Sequence, residues 1–126
     1  MDFWPSTLEN DRSSALAAAR QAVTVVDVAI NGADPACIHE AGARARAAFR
    51  SASVLMLAAK RERIQGRRWS GRVKTIRSLI DQNAEAGADL AGALLQSENG
   101  DRRRLLLDLS AALWDLVYYL DVLGRR

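Results

Sequence analysis

Leu106-Leu107-Asp108-Leu109-Ser110-Ala111-Ala112-Leu113-Trp114-Asp115-Leu116-Val117-Tyr118-Tyr119-Leu120-Asp121-Val122-Leu123 carries leucine at 106, 109, 113, 116, 120 and 123. Alternating steps of three and four are the period of an α-helix that buries one face. A second apolar line, Leu107, Ala111, Trp114, Tyr118 and Val122, runs beside the first, and Asp108 and Asp115 mark the polar stripe. A helix apolar round most of its circumference is central in its fold or covered by a partner. The spacing predicts a helix over 102–123, capped by Asp101 and stopped at Gly124. It marks Leu107, Trp114 and Tyr118 as a partner interface, covered by another subunit, a copy of this chain, or the Phe3-Trp4 segment folded back.

Three further seams lie upstream. Leu16, Ala19, Val23, Val26 and Ile30 predict a first helix over 6–31, begun by the capping-box pattern Ser6-Thr7-Leu8-Glu9 and stopped by Asn31-Gly32. Asp34-Pro35 supplies an N-cap and a first-turn proline for a second helix over 35–65. Its seam is Ile38, Ala41, Ala45, Ala48, Ala52, Leu55 and Ala59, with Phe49 and Met56 alongside. Val73, Ile76, Ile80, Asn83, Gly87, Leu90 and Leu94 predict a third helix over 71–98, capped by Ser70. Asn83 and Gly87 fall where apolar side chains are expected, which predicts a kink there or very close contact with a neighbouring helix. Seams of threes and fours joined by short turns specify an antiparallel up-down-up-down four-helix bundle, one all-α domain over 1–126.

Composition agrees with that class. Alanine, the best helix former, is abundant, only seven of 126 residues are aromatic, and the two prolines fall at helix starts. The single Cys37 leaves no intramolecular disulfide or cysteine-based zinc site. No apolar run approaches the ~20 residues of a membrane span. Met1-Asp2-Phe3-Trp4-Pro5 has no secretion-signal character, so a cytoplasmic location is expected.

An inventory of reactive groups predicts no enzyme. His39 is the only histidine, and no nucleophile-elbow, Walker A or dinucleotide-binding pattern occurs. Ala36, three before His39, leaves no Glu-x-x-His pair for a di-iron bundle, and His39-Glu40-Ala41-Gly42 lacks the lysine usual beside a phosphotransfer histidine. Asp81, Glu85 and Asp89, four apart, read as a solvated helix face rather than a metal site, with Arg77 at ion-pair spacing from Asp81. No cofactor is expected.

Charge is the strongest functional signal. The chain has a net charge of +3, yet residues 44–77 hold eleven basic residues and one acid, Glu62. Within them, Lys60, Arg61, Arg63, Arg67, Arg68, Arg72, Lys74 and Arg77 surround Trp69, and Arg44, Arg46 and Arg50 extend the charge along helix two. Basic residues at the end of helix two suit its dipole. Arg67, Arg68, Arg72, Lys74 and Arg77 begin helix three, where positive charge is disfavoured, and the Arg102-Arg103-Arg104 run poses the same mismatch on helix four. Arginine offers multidentate phosphate donors and tryptophan a stacking face. In the expected topology this turn shares one end of the bundle with both termini, adding Arg125 and Arg126.

These features read as a non-catalytic subunit binding nucleic-acid backbone, DNA or RNA, without sequence specificity, through Arg46, Arg50, Lys60, Arg61, Arg63, Arg67, Arg68, Trp69, Arg72, Lys74 and Arg77. In size, helicity and basic face the chain is similar to the small helical subunits of CRISPR effector complexes, which implies a place in a ribonucleoprotein assembly; the likeness is one of class and assigns no residue. The alternative is a protein-protein interaction module, an adaptor, chaperone or inhibitor, working through helix four. Trp69→Ala is expected to weaken single-strand binding more than duplex binding if its ring stacks on a base. Equal losses in a titration of both forms would remove Trp69 from the base-contacting set.

Overall fold

The computed structural model describes residues 4–32, 34–64, 71–97 and 100–125. A 3-10 turn, Ser6–Leu8, leads into α1 (Glu9–Asn31), followed by α2 (Pro35–Ile64), α3 (Gly71–Gln96) and α4 (Arg102–Leu123). No strand occurs among the described residues. Helix α1 packs on α2 and α4, and α3 packs on the same two, so the helices stand at the corners of a square with α2 diagonal to α4.

Cross-links between helices show that neighbours are antiparallel. Thr7 Oγ1, just before α1, donates to Glu62 Oε1 near the end of α2 at 3.3 Å. Arg12 Nη1 donates to the Leu120 carbonyl at 2.7 Å, tying the start of α1 to the end of α4. Ser110 Oγ lies 3.4 Å from Asp27 Oδ1 further along the same pair. The up-down-up-down bundle is therefore the fold.

Each seam faces the core. All six leucines of the α4 line are buried, as are Ala41, Ala45, Ala48, Ala52 and Ala59 of α2 with Phe49 and Met56. Leu16, Ala19, Val23 and Val26 do the same for α1, and Val73, Ile76, Ile80 and Leu94 for α3. Ala84 and Ala91 are buried on α3 beside the expected line, which runs through the half-buried Asn83 and Leu90. Asn83 Nδ2 donates to the Ala112 carbonyl of α4 at 3.1 Å. Its position is thus a polar strut between α3 and α4.

Gly87 realises the close-contact outcome. Helix α3 runs unbroken through it, and a Cβ at this position would overlap Cε1 and Cζ of Phe49. The ring is fully buried. Gly42 plays a milder version of this role on α2, where a Cβ would come 2.8 Å from Leu95 Cδ2.

Several end signals differ from expectation. Neither Pro5 before the 3-10 turn nor Leu8 before α1 makes a side-chain cap hydrogen bond. Glu9 is drawn to Arg12 instead, accepting from its Nε at 2.9 Å, so the capping box does not form. Asp101 occupies the N-cap of α4 without a side-chain bond, and Gly32 is extended rather than left-handed (φ −118°). Asp34 does cap α2, its Oδ1 accepting from the Ala36 N–H at 2.9 Å. Ser70, the expected cap of α3, lies outside the described residues, and α3 ends at Gln96. Trp4 is buried in the core, so it is not a cover for α4; Phe3 lies outside the described residues.

Helix α1 with its 3-10 turn, Ser6–Asn31, has the length and apolar composition to cross a bilayer, a test that buried helices of helical bundles also pass. Here it turns Ala15, Leu16, Ala19, Ala22, Val23, Val26 and Ala29 into the core.

The two glycines of α3 predict opposite responses. Gly87→Ala should lower unfolding free energy by about 1–3 kcal/mol through overpacking against Phe49. Gly92 has no atom within 4 Å of its added Cβ. Gly92→Ala should therefore raise stability by about 0.5–1 kcal/mol through helix propensity. Urea unfolding of both variants checks the pair, and equal signs would contradict the packing described.

Candidate nucleic-acid interface

The alanine seam of α2 leaves the opposite side of that helix to solvent. Arg46, Arg50, Leu57 and Arg61 recur there at helical spacing, and all four are exposed. Lys60 is exposed one residue before Arg61. On α3, Lys74 is exposed and Arg77 half-buried. The antiparallel register that sets Phe49 against Gly87 and Gly42 against Leu95 brings Lys60 level with Arg77 on the adjoining helix. The cations thus run along α2 and broaden onto α3 near the end where both helices meet the connecting turn.

These charges are uncompensated. Among the described residues, the side chains of Arg46, Arg50, Lys60, Arg61, Lys74 and Arg77 form no hydrogen bond or ion pair. The Arg77–Asp81 spacing is not used, although both lie on α3. Arg44, by contrast, reaches Glu40 with Nε to Oε1 at 3.7 Å. Glu62, the one acid of the segment, accepts from Thr7 on the α1 side. Six neighbouring cations without acidic partners repel one another, and a polyanion laid along them would relieve that repulsion.

Arg72, also exposed, differs from these six in having hydrogen-bond partners. Its Nη2 donates to the carbonyls of Val122 at 2.6 Å and Arg125 at 3.1 Å. It closes the C-terminal end of α4, and this contact accounts for a cation at the start of α3. Arg102 likewise donates from Nη2 to the Ser97 carbonyl after α3, at 3.2 Å. Arg12 completes the set at the Leu120 carbonyl. The hydrogen bond from Arg12 to Glu9 holds its guanidinium above the usual arginine pKa despite partial burial. Gly124 makes room for that side chain, since a Cβ there would overlap the guanidinium. Helix stability explains Arg72 and Arg102, contrary to the reading from their own helix dipoles.

The side chain of Arg63 and the residues Arg67, Arg68 and Trp69 lie outside the described residues, as does Arg126. A groove of about 400 Å³ beside the α2 track runs between α1 and α2, lined in part by Asp11, Ser14, Arg50, Ser51 and Val54. A second hollow, about 580 Å³, lies at the opposite end between Asn31, Pro35, Ile38, Arg102, Arg103 and Leu106. Neither brings a nucleophile beside a base. His39 is exposed on the first turns of α2, and Asp81, Glu85 and Asp89 are exposed on α3. Among the described residues no three histidine, cysteine or acidic side chains gather as a metal site.

On the diagonally opposite helix, Leu107, Trp114 and Tyr118 are 47%, 56% and 61% exposed. Tyr118 meets its neighbour Tyr119 edge-on, ring centroids 6.0 Å apart. The expected strip is therefore present as a continuous apolar surface.

The chain matches no protein-family model, no curated protein and no solved structure.

Arg72 and its neighbours separate by stability. Arg72→Ala should lower unfolding free energy by about 1 kcal/mol through the lost carbonyl contacts. Arg50→Ala and Arg61→Ala should stay within about 0.5 kcal/mol of the parent. Chemical unfolding checks this, and equal losses at all three positions would remove the distinction.

Proposed function

We propose that the chain is a non-catalytic subunit that holds nucleic-acid backbone along α2 and the start of α3. The observation that supports this reading is the run of Arg46, Arg50, Lys60, Arg61, Lys74 and Arg77, six cations without an acidic partner among the described residues. Such side chains are placed to bind phosphate oxygens and release the counterions that surround them. The sequence carries no helix-turn-helix, zinc-finger or RNA-recognition signature, so the expected contacts are to backbone and indifferent to sequence. The apolar strip of α4 gives such a subunit a separate face for protein, in keeping with a place inside a larger nucleoprotein assembly.

The exposure of Trp114 and Tyr118 favours a second reading, an adaptor, chaperone or inhibitor acting through α4 alone.

Binding at two salt concentrations discriminates. With about four phosphate contacts from Arg50, Lys60, Arg61 and Arg77, log K for duplex DNA should fall with log salt at a slope near −3 to −4. Arg61→Ala combined with Arg77→Ala should flatten the slope by about two units, equally for unrelated sequences. If no single- or double-stranded DNA or RNA binds at low salt, the α4 module becomes the function.

A further inference from the structure

We infer that a second copy of this chain docks on α4, the two α4 helices lying antiparallel about a twofold axis between Ala111 and Trp114. The strip that is left exposed is Leu107, Ala111, Trp114 and Tyr118, three turns of one helix face. A twofold interface must be complementary to itself. Turning the strip end over end about that point sets Leu107 opposite the second copy's Tyr118. It also sets the small Ala111 opposite the large Trp114, so bulk meets a gap at the two central positions.

Charge selects the direction. The face opens with Arg103 and Arg104 and closes with Asp121, which lies 2.6 Å from Arg125 within its own chain. Parallel helices would bring arginines against arginines. Antiparallel helices bring Arg103 of one copy to Asp121 of the other, and Arg125 toward Asp101, at both ends of the strip. Asp101 makes no side-chain cap bond, and Arg103 and Arg104 form no ion pair among the described residues.

The diagonal placement of α2 gives the dimer a function. With the α4 helices paired inside, the α2 cations of the two copies face away from each other. Each dimer then presents two backbone-binding faces on opposite sides and joins two nucleic-acid segments. This joining rests on the function proposed above, whereas the dimer itself does not.

Sedimentation equilibrium of the full chain at micromolar concentration tests the dimer, with an expected mass of twice 13.8 kDa. Ala111→Glu changes an exposed position and should give a 13.8 kDa monomer with unaltered circular dichroism. Arg103→Asp and Asp121→Arg should each weaken self-association about tenfold through two like-charge meetings per dimer. Mixing those two variants, or combining both changes in one chain, should restore it. A monomeric parent, a dimer indifferent to Ala111→Glu, or swaps without rescue would overturn the antiparallel α4 interface. For joining, the parent should retain a free labelled duplex on a tethered one. Ala111→Glu should bind each duplex with an unchanged salt slope and retain none. A dimeric parent that binds duplex but retains none overturns the opposed faces. A dimeric parent that binds no nucleic acid leaves the dimer standing and overturns the function on which joining rests.

Discussion

An α-helix finishes with backbone carbonyls that have no partner inside the helix, and an antiparallel bundle places that finish beside the start of a neighbour. Three arginines exploit this adjacency. Arg12 and Arg72, on the opening turns of α1 and α3, both donate to the end of α4, and Arg102 of α4 donates to Ser97 after α3. Each cation is poorly placed with respect to its own helix dipole and well placed with respect to the negative end beside it. The contacts also pin the axial register of α4 against both neighbours, on which the meshing of its leucines depends. Glycine at 124 keeps the approach of Arg12 open.

Small residues set the spacing on the other side of the bundle. Helix α2 gives alanine to most of its core line, with Phe49, Leu55 and Met56 as its large buried side chains, and the Phe49 ring rests on Gly87. Close approach spends little side-chain volume per residue, so the core depends on a few large groups being seated in particular gaps. It also leaves the remaining circumference of α2 free for side chains that have no packing duty. The cations stand there.

The leucine line of α4 and the alanine line of α2 were legible because each repeats one residue type at helical spacing over five turns or more. Helix α3 was harder. Its true core includes Ala84 and Ala91, and alanine looks the same in sequence on a buried face as at the exposed Ala43 or Ala47. Cap signals were only partly informative: Asp34 caps, whereas Ser6 loses its glutamate partner to Arg12, a residue whose role depends on α4, more than a hundred positions away. The carbonyl partners of Arg72 were invisible for the same reason. A dipole argument made within one helix cannot see the carbonyls of another. The candidate interface was legible as a charge excess, but the division between Arg72, held in structure, and Arg61 or Arg77, held by nothing described, needed the third dimension.

The segregation of charge across the bundle has a consequence for motion before contact. The outer side of α2 carries cations, while Asp81, Glu85 and Asp89 lie exposed on α3 and Asp108 and Asp115 on α4. Positive charge is therefore gathered on the α2 side and toward the end where α2 meets α3. In the field of a polyanion the molecule experiences a torque that turns this side forward. Such pre-orientation raises the fraction of collisions that are productive, so its signature is a rate of capture that falls with ionic strength.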